Sequence, residues 1–176
     1  MKKTNAMRIL DGAKIKYECR EYDDDGEHEL ERGAAELTAK KLGISPDSVF
    51  KTIVMRTDSK EVVVFCQSAV HEINLKKARL AAGAKEVTPV KQDELLALTG
   101  YVRGGCSPLG MKRKYRTFID GSVMSHEKVH ISAGVRGQQI VIAPEDLVKA
   151  CGAVVVDLVL EKSPTLDAER RGMVFS

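Results

Sequence analysis

The sequence lacks any apolar run approaching the roughly 20 residues of a membrane-spanning helix. No apolar h-region follows its basic start, Met1-Lys2-Lys3-Thr4-Asn5. Neither a membrane span nor a signal peptide is expected. Cysteine is scattered: Cys19, Cys66, Cys106 and Cys151 form no C-x-x-C pair, which argues against a zinc knuckle or a disulfide framework. A reduced, cytoplasmic protein is the simplest reading. His28, His71, His126 and His130 are equally dispersed. His126 and His130 have a helical ligand spacing, but Lys128-Val129-His130-Ile131-Ser132 reads as a strand, so no metal site is expected. Aromatic residues make up only 5% of the chain, and base stacking is not strongly advertised. The two common phosphate fingerprints, G-x-G-x-x-G and G-x-x-x-x-G-K-[ST], are missing, which argues against nucleotide hydrolysis of the Walker type.

What is present fits one soluble domain. The chain has 176 residues, 43% hydrophobic and 30% charged, enough for one core and too few for two. Residues 1–160 read as the domain and 161–176 as a polar tail. Thr4 caps a short helix through Leu10, with Gly12 as its stop. Residues 15–22 alternate as a strand, and Asp23-Asp24-Asp25-Gly26-Glu27 is an acidic turn. Residues 33–43 read as a helix ending at Gly43. Residues 48–56 form a strand, and Val62-Val63-Val64-Phe65-Cys66 is apolar on both faces, as in a central strand. Asn74 caps a helix over 75–82 closed by Gly83, and a further helix over 93–98 ends at Gly100. Three β-rich stretches follow at 116–120, 128–133 and 138–143. A helix then opens at Pro144-Glu145-Asp146 and is followed by Gly152. Residues 154–159 are the last strand. Strands and helices do not alternate strictly, so the class is mixed α/β (α+β) and not a Rossmann sheet.

Four features carry possible chemistry. Gly100-Tyr101-Val102-Arg103-Gly104-Gly105-Cys106-Ser107-Pro108-Leu109-Gly110 holds four glycines in eleven residues. Such a run is either a long irregular turn or a shaped loop whose N–H groups face a polar ligand. Lys51 interrupts an apolar strand. It either snorkels at an edge or works in a pocket on an anion or a carbonyl. Ser132-Ala133-Gly134-Val135-Arg136-Gly137 is a second small-residue turn, either a plain hairpin or a place for Arg136 to reach an anion. The net charge is only +3, yet positive residues cluster at Lys40-Lys41, at Lys76, Lys77 and Arg79, and at Lys112, Arg113, Lys114 and Arg116. The last cluster is either a solvated turn or a rim suited to a phosphate backbone.

Taken together, Val49-Phe50-Lys51-Thr52-Ile53-Val54, the glycine loop through Lys112, and Ser132-Ala133-Gly134-Val135-Arg136-Gly137 resemble the YbaK/EbsC family. Lys2-Thr4-Asn5-Ala6 and Ala143-Pro144-Glu145-Asp146-Leu147 agree, in order, over roughly residues 2–158. The branch most similar is the free-standing Cys-tRNA(Pro) deacylases, and the same domain occurs as an editing insertion in some prolyl-tRNA synthetases. The resemblance implies a curved, largely antiparallel sheet with surrounding helices, and removal of a wrong amino acid from tRNA without a cofactor. It implies that Lys51 is catalytic. It implies that Tyr22, Thr52, Gly100, Tyr101, Gly104, Gly105, Ser107, Pro108, Gly134 and Arg136 surround the aminoacyl end. Lys112, Arg113, Lys114 and Arg116 are expected at the pocket rim, against tRNA. The implied mechanism uses no protein nucleophile: the substrate's own thiol attacks its ester and leaves as a cyclic thioester. Prolyl-tRNA synthetase is an expected partner. Some members carry an acid where this chain has Gln139. An Ala-tRNA(Pro) hydrolase using water, and a non-catalytic tRNA- or synthetase-binding module, are the alternatives.

Overall fold

A computed structural model describes residues 2–23 and 34–160. Most of the acidic turn and the whole polar tail lie outside these residues. Within them, five α-helices accompany two sheets. The helices are α1 (Asn5–Gly12), α2 (Ala34–Leu42), α3 (Leu75–Ala82), α4 (Gln92–Thr99) and α5 (Pro144–Cys151). The strands are β1 (Glu18–Glu21), β2 (Phe50–Thr57), β3 (Val62–Ser68), β4 (Val87–Pro89), β5 (Arg116–Asp120), β6 (Val129–Ser132), β7 (Gln138–Ile142) and β8 (Val154–Val156).

The mixed α/β class and the mainly antiparallel pairing are as expected, but the strands divide between two sheets. One has the order β1-β7-β6 and is antiparallel throughout. The other has the order β4-β2-β3-β5-β8, with β3, β5 and β8 parallel to one another. β3 is central, as its doubly apolar sequence requires. Successive side chains of a strand point to opposite faces, so Phe65 and Cys66 enter different cores. The first core lies between the sheets and gathers Leu10, Phe50, Cys66, Ile131, Ile140 and Leu147. The second lies beneath α3 and gathers Met55, Phe65, Ala78, Phe118 and Leu158, with the Phe65 and Phe118 rings stacked at 5.5 Å.

Local chemistry sets the helix ends. The Thr4 side chain accepts from the Met7 N–H, and Asn74 accepts from the N–H groups of Lys76 and Lys77. Each fills donors that a first turn leaves open. Gly83, Gly100 and Gly152 close α3, α4 and α5 in the left-handed region. Gly12 differs from expectation. It is the last residue of α1, and Lys14 takes the positive φ, 58°. β4 also has no counterpart in the sequence reading. It is three residues long and exists by pairing with Met55–Thr57 of β2.

His130 lies on β6 and bridges to Val49. It is 5% exposed, and its Nδ1 has no partner. Burial pushes its imidazole down to about 4. The Arg20 guanidinium adds to this, and Glu18 opposes it. The unfolded chain therefore takes a proton near pH 6.5 that the folded protein refuses until about pH 4. Stability is full above pH 6.5 and falls by about 2–3 kcal/mol as the pH drops from 6.5 to 4. Urea unfolding at pH 7 and pH 4.5 measures this loss, and His130→Leu should flatten it. An unchanged slope in that variant would show that another group is responsible.

Candidate active site

Among the described residues, the two sheets meet at one isolated backbone bridge, Val49 to His130. Just beyond it, β2 has β3 on one side, while β4 joins the other side only from Met55 onward. A cleft of about 720 Å³ opens there. Its floor is the start of β2, with Phe50, Lys51 and Thr52. Tyr22 and the start of α2 form one wall, and Arg103, Gly104 and Cys106 form another. His71 and Glu72 come from the turn after β3, and Ser132 and Gln139 from β6 and β7.

Lys51 pairs across the ladder with Gln67. Its side chain reaches water, yet desolvation by the cleft walls lowers its pKa below the usual lysine value, while Glu72 pulls the other way. Its ammonium is thus a partly desolvated cation that feels the Glu72 carboxylate. Thr52 pairs with Cys66 on the opposite face. The alternation of an antiparallel ladder turns the Thr52 N–H and C=O toward the side where β4 is missing. The Gln139 side chain is buried, 7% exposed, and its Oε1 lacks a partner. The thiols are poor nucleophiles. Burial pushes Cys106 up to about 12, though Thr99 opposes this, and pushes Cys66 up to about 12, though Thr52 opposes it.

The expected site residues are only partly brought together. Lys51, Tyr22, Thr52 and Gly104 share the cleft. Gly100, Tyr101 and Gly134 face a second hollow of about 520 Å³ beside the start of α1. Arg113, Lys114 and Arg116 line a third, about 440 Å³, with Arg56 and Lys60, and so do not form the rim of the cleft. Lys112, Gly105, Ser107, Pro108 and Arg136 line none of the three.

The reason is packing. The Tyr101 hydroxyl donates to the Leu109 carbonyl at 2.6 Å, and a Cβ on Gly134 would stand 2.9 Å from the Tyr101 ring. A Cβ on Gly105 would meet the backbone of Val135 and Arg136 at 3.2 Å, and one on Gly110 would meet Asn5 of α1 at 2.7 Å. Ser107 Oγ accepts from Leu109 N–H, the Pro108 carbonyl faces Cys151 of α5, and Arg136 Nε donates to the Arg103 carbonyl. Arg103, Glu72 and Ser132 were not singled out as site residues in the sequence. They come from three separate turns or strand ends, and no spacing links them.

Residues 29–150 match the model of the aminoacyl-tRNA editing domain. EbsC of Enterococcus faecalis, assigned as a Cys-tRNA(Pro)/Cys-tRNA(Cys) deacylase, is 38% identical over 143 residues, which cover 81% of this chain and 85% of EbsC. The chain belongs to the aminoacyl-tRNA editing domain family. A proline–tRNA ligase of Brachyspira hyodysenteriae is 29% identical over 86 residues, 49% of this chain and 15% of the ligase. A crystal structure described as a trans-editing enzyme for prolyl-tRNA synthetase superposes with a TM-score of 0.76 over 92% of this chain and 100% of that one. At 20% identity that likeness concerns the fold of the editing domain.

The glycine loop of this editing domain is thus in large part a packing device. Gly110 combines a φ of 74° with backbone at 2.7 Å from any added Cβ. Gly110→Ala should destabilise the domain by about 2–4 kcal/mol, summing overpacking and left-handed strain. Urea unfolding measures it, and a midpoint equal to wild type would mean that α1 yields freely.

Proposed function

We propose that this editing domain is a trans-acting aminoacyl-tRNA deacylase that removes cysteine from mischarged Cys-tRNA(Pro). The observation that carries the reading is Lys51, a cation on the floor of a cleft whose walls lower its pKa, within a family of editing domains. The likeness to EbsC and to a proline–tRNA ligase supports the choice of amino acid and tRNA. The reaction belongs where tRNA is charged, in the cytoplasm, and prolyl-tRNA synthetase is the partner proposed to deliver the substrate.

The mechanism follows from what the cleft offers and what it withholds. Cys66 and Cys106 both lie near 12 and supply no thiolate at neutral pH. The nucleophile we propose, as the resemblance to Cys-tRNA(Pro) deacylases implies, is the substrate's own sulfur. It loses its proton and bonds to the ester carbonyl carbon, giving a tetrahedral oxyanion. The bond to the ribose oxygen breaks, that oxygen takes a proton, and cysteine leaves as a four-membered cyclic thioester. Holding sulfur and carbonyl together makes the step unimolecular. The Lys51 ammonium and the Thr52 N–H are the donors proposed for the oxyanion. Tyr22 and Gly104 bound the aminoacyl end.

A second reading has a specific observation behind it. Glu72 is close enough to Lys51 to raise its pKa, and a carboxylate there is suited to activate water against an ester without a thiol, such as Ala-tRNA(Pro). Single-turnover deacylation of matched Cys- and Ala-tRNA(Pro) separates the two.

Lys51→Ala should keep the fold and slow Cys-tRNA(Pro) deacylation by roughly 10²–10³. Near-normal turnover in a folded variant would refute the assignment. In wild type, a Lys51 that works as the ammonium loses activity as the pH rises through its pKa, and that fall should come below the usual lysine value of about 10.4. Cys106→Ala should retain the rate. A loss matching that of Lys51→Ala would make the thiol a reactant after all.

A further inference from the structure

The third hollow lies at the other end of β2 from the cleft. Lys51 and Arg56 are five residues apart, about 17 Å along a strand. Two of its arginines are already held. Arg116 donates twice to Glu61 at 2.8 Å, and Arg56 stands 3.6 Å from Glu94. Lys60, Arg113 and Lys114 have no carboxylate partner among the described residues. They come from two separate segments, the β2–β3 turn and the stretch after Gly110, and line the same hollow.

Lys60 is the telling residue. The β2–β3 connection is a three-residue turn, with Thr57 and Glu61 paired through backbone and Lys60 in the left-handed region at φ 71°. That position of such a turn favours glycine, and a side chain there is strained. A long cation thus occupies a position that the fold alone would give to glycine or asparagine. The stretch after Gly110 continues the glycine loop, whose Arg103 stands at the cleft wall, and the Lys112 side chain lies over Gly100.

We propose that this hollow is a second RNA site, taking the phosphate backbone of the duplex that follows the aminoacylated end. The inference rests on the cleft being the site of that end. A short unpaired 3′ segment spans the interval from the cleft, and the duplex begins at the hollow that Lys60, Arg113 and Lys114 line. Free Lys60, Arg113 and Lys114 take phosphate oxygens, while Arg56 and Arg116 shape the walls through Glu94 and Glu61. A cleft alone would bind single-stranded and duplex-tailed ends alike. With the hollow, the enzyme prefers an amino acid carried on a stem.

The test uses uncharged RNA, so it does not depend on deacylation. Affinity is measured for a hairpin with a short unpaired 3′ tail and for the tail alone, at several salt concentrations. The proteins are wild type, Lys60→Asn, Arg113→Ala with Lys114→Ala, and Lys76→Ala with Arg79→Ala on α3 as control. Each lost phosphate contact should weaken hairpin binding about five-fold at 0.15 M salt and reduce the log–log salt slope by about 0.7–0.9. Binding of the tail alone, and the control, should not change. Lys60→Asn should melt at the same temperature as wild type or higher, since asparagine tolerates the left-handed region, so a lost affinity cannot be blamed on unfolding. Unchanged hairpin affinity, an equal loss for hairpin and tail, or a loss that follows Lys76 and Arg79 would each overturn the proposal. Failure here leaves the deacylation of charged tRNA as a separate result, and absence of deacylation leaves this binding result intact.

Discussion

The Tyr101 hydroxyl donates to the Leu109 carbonyl and closes the glycine loop on itself. Most of what surrounds the cleft depends on that closure. The hydroxyl is buried, and desolvation pushes it up to about 12, so it stays a donor at any pH the protein meets. The ring fills the space that Gly134 leaves free, which ties the second turn to the first. Beyond Leu109, Gly110 brings the chain within backbone contact of α1. That hydrogen bond and the close approaches at Gly134 and Gly110 help position the Arg103–Cys106 wall of the cleft, where Arg136 Nε also holds the Arg103 carbonyl. A buried neutral hydrogen bond contributes only about 1 kcal/mol net, but leaving its partner unsatisfied costs more, so the loop has one arrangement and not several.

The cleft exists because the two sheets do not merge. Val49 bridges to His130, and the ladder goes no further. The same withdrawal of water acts in opposite directions on the groups around it. It raises the thiols of Cys66 and Cys106 and lowers the ammonium of Lys51. Burial disfavours whichever form is charged. The protein thus presents a cation and main-chain donors, with Glu36 and Glu72 as the carboxylates among the residues lining the cleft. A site of this composition stabilises negative charge formed by the substrate more readily than it generates a nucleophile.

Much of the fold was legible because its signals are local. Thr4, Asn74, Gly83 and Gly152 mark helix ends through their own backbone geometry, and Val62-Val63-Val64-Phe65-Cys66 announces a strand covered on both faces. Lys51 was legible as a charge in an apolar strand. What was not legible shares one cause. The packing of Gly134 against the Tyr101 ring and of Gly105 against Val135 and Arg136 joins residues about thirty positions apart, and spacing carries no record of that. β4 is likewise specified by its partner and not by its own three residues. Glu72, Arg103 and Ser132 reach the cleft only through tertiary folding. The strain at Lys60 is invisible until φ is known, because Asp58-Ser59-Lys60 reads as an ordinary polar turn.

The proposed chemistry also fits the size of the cleft. About 720 Å³, open to water and walled by two loops and the start of a helix, is a poor gauge of a single methylene. Even a tight pocket distinguishes such a difference by only about 1–3 kcal/mol. Selection by shape would repeat the difficulty that lets a small amino acid onto the wrong tRNA in the first place. Selection by reactivity does not. If the attacking sulfur must come with the substrate, a correctly charged prolyl ester can enter, meet Lys51 and leave intact, because it carries no nucleophile to spend. The discrimination then lies in the chemistry of the side chain, and the cleft can remain open enough to admit an RNA end held elsewhere on the protein.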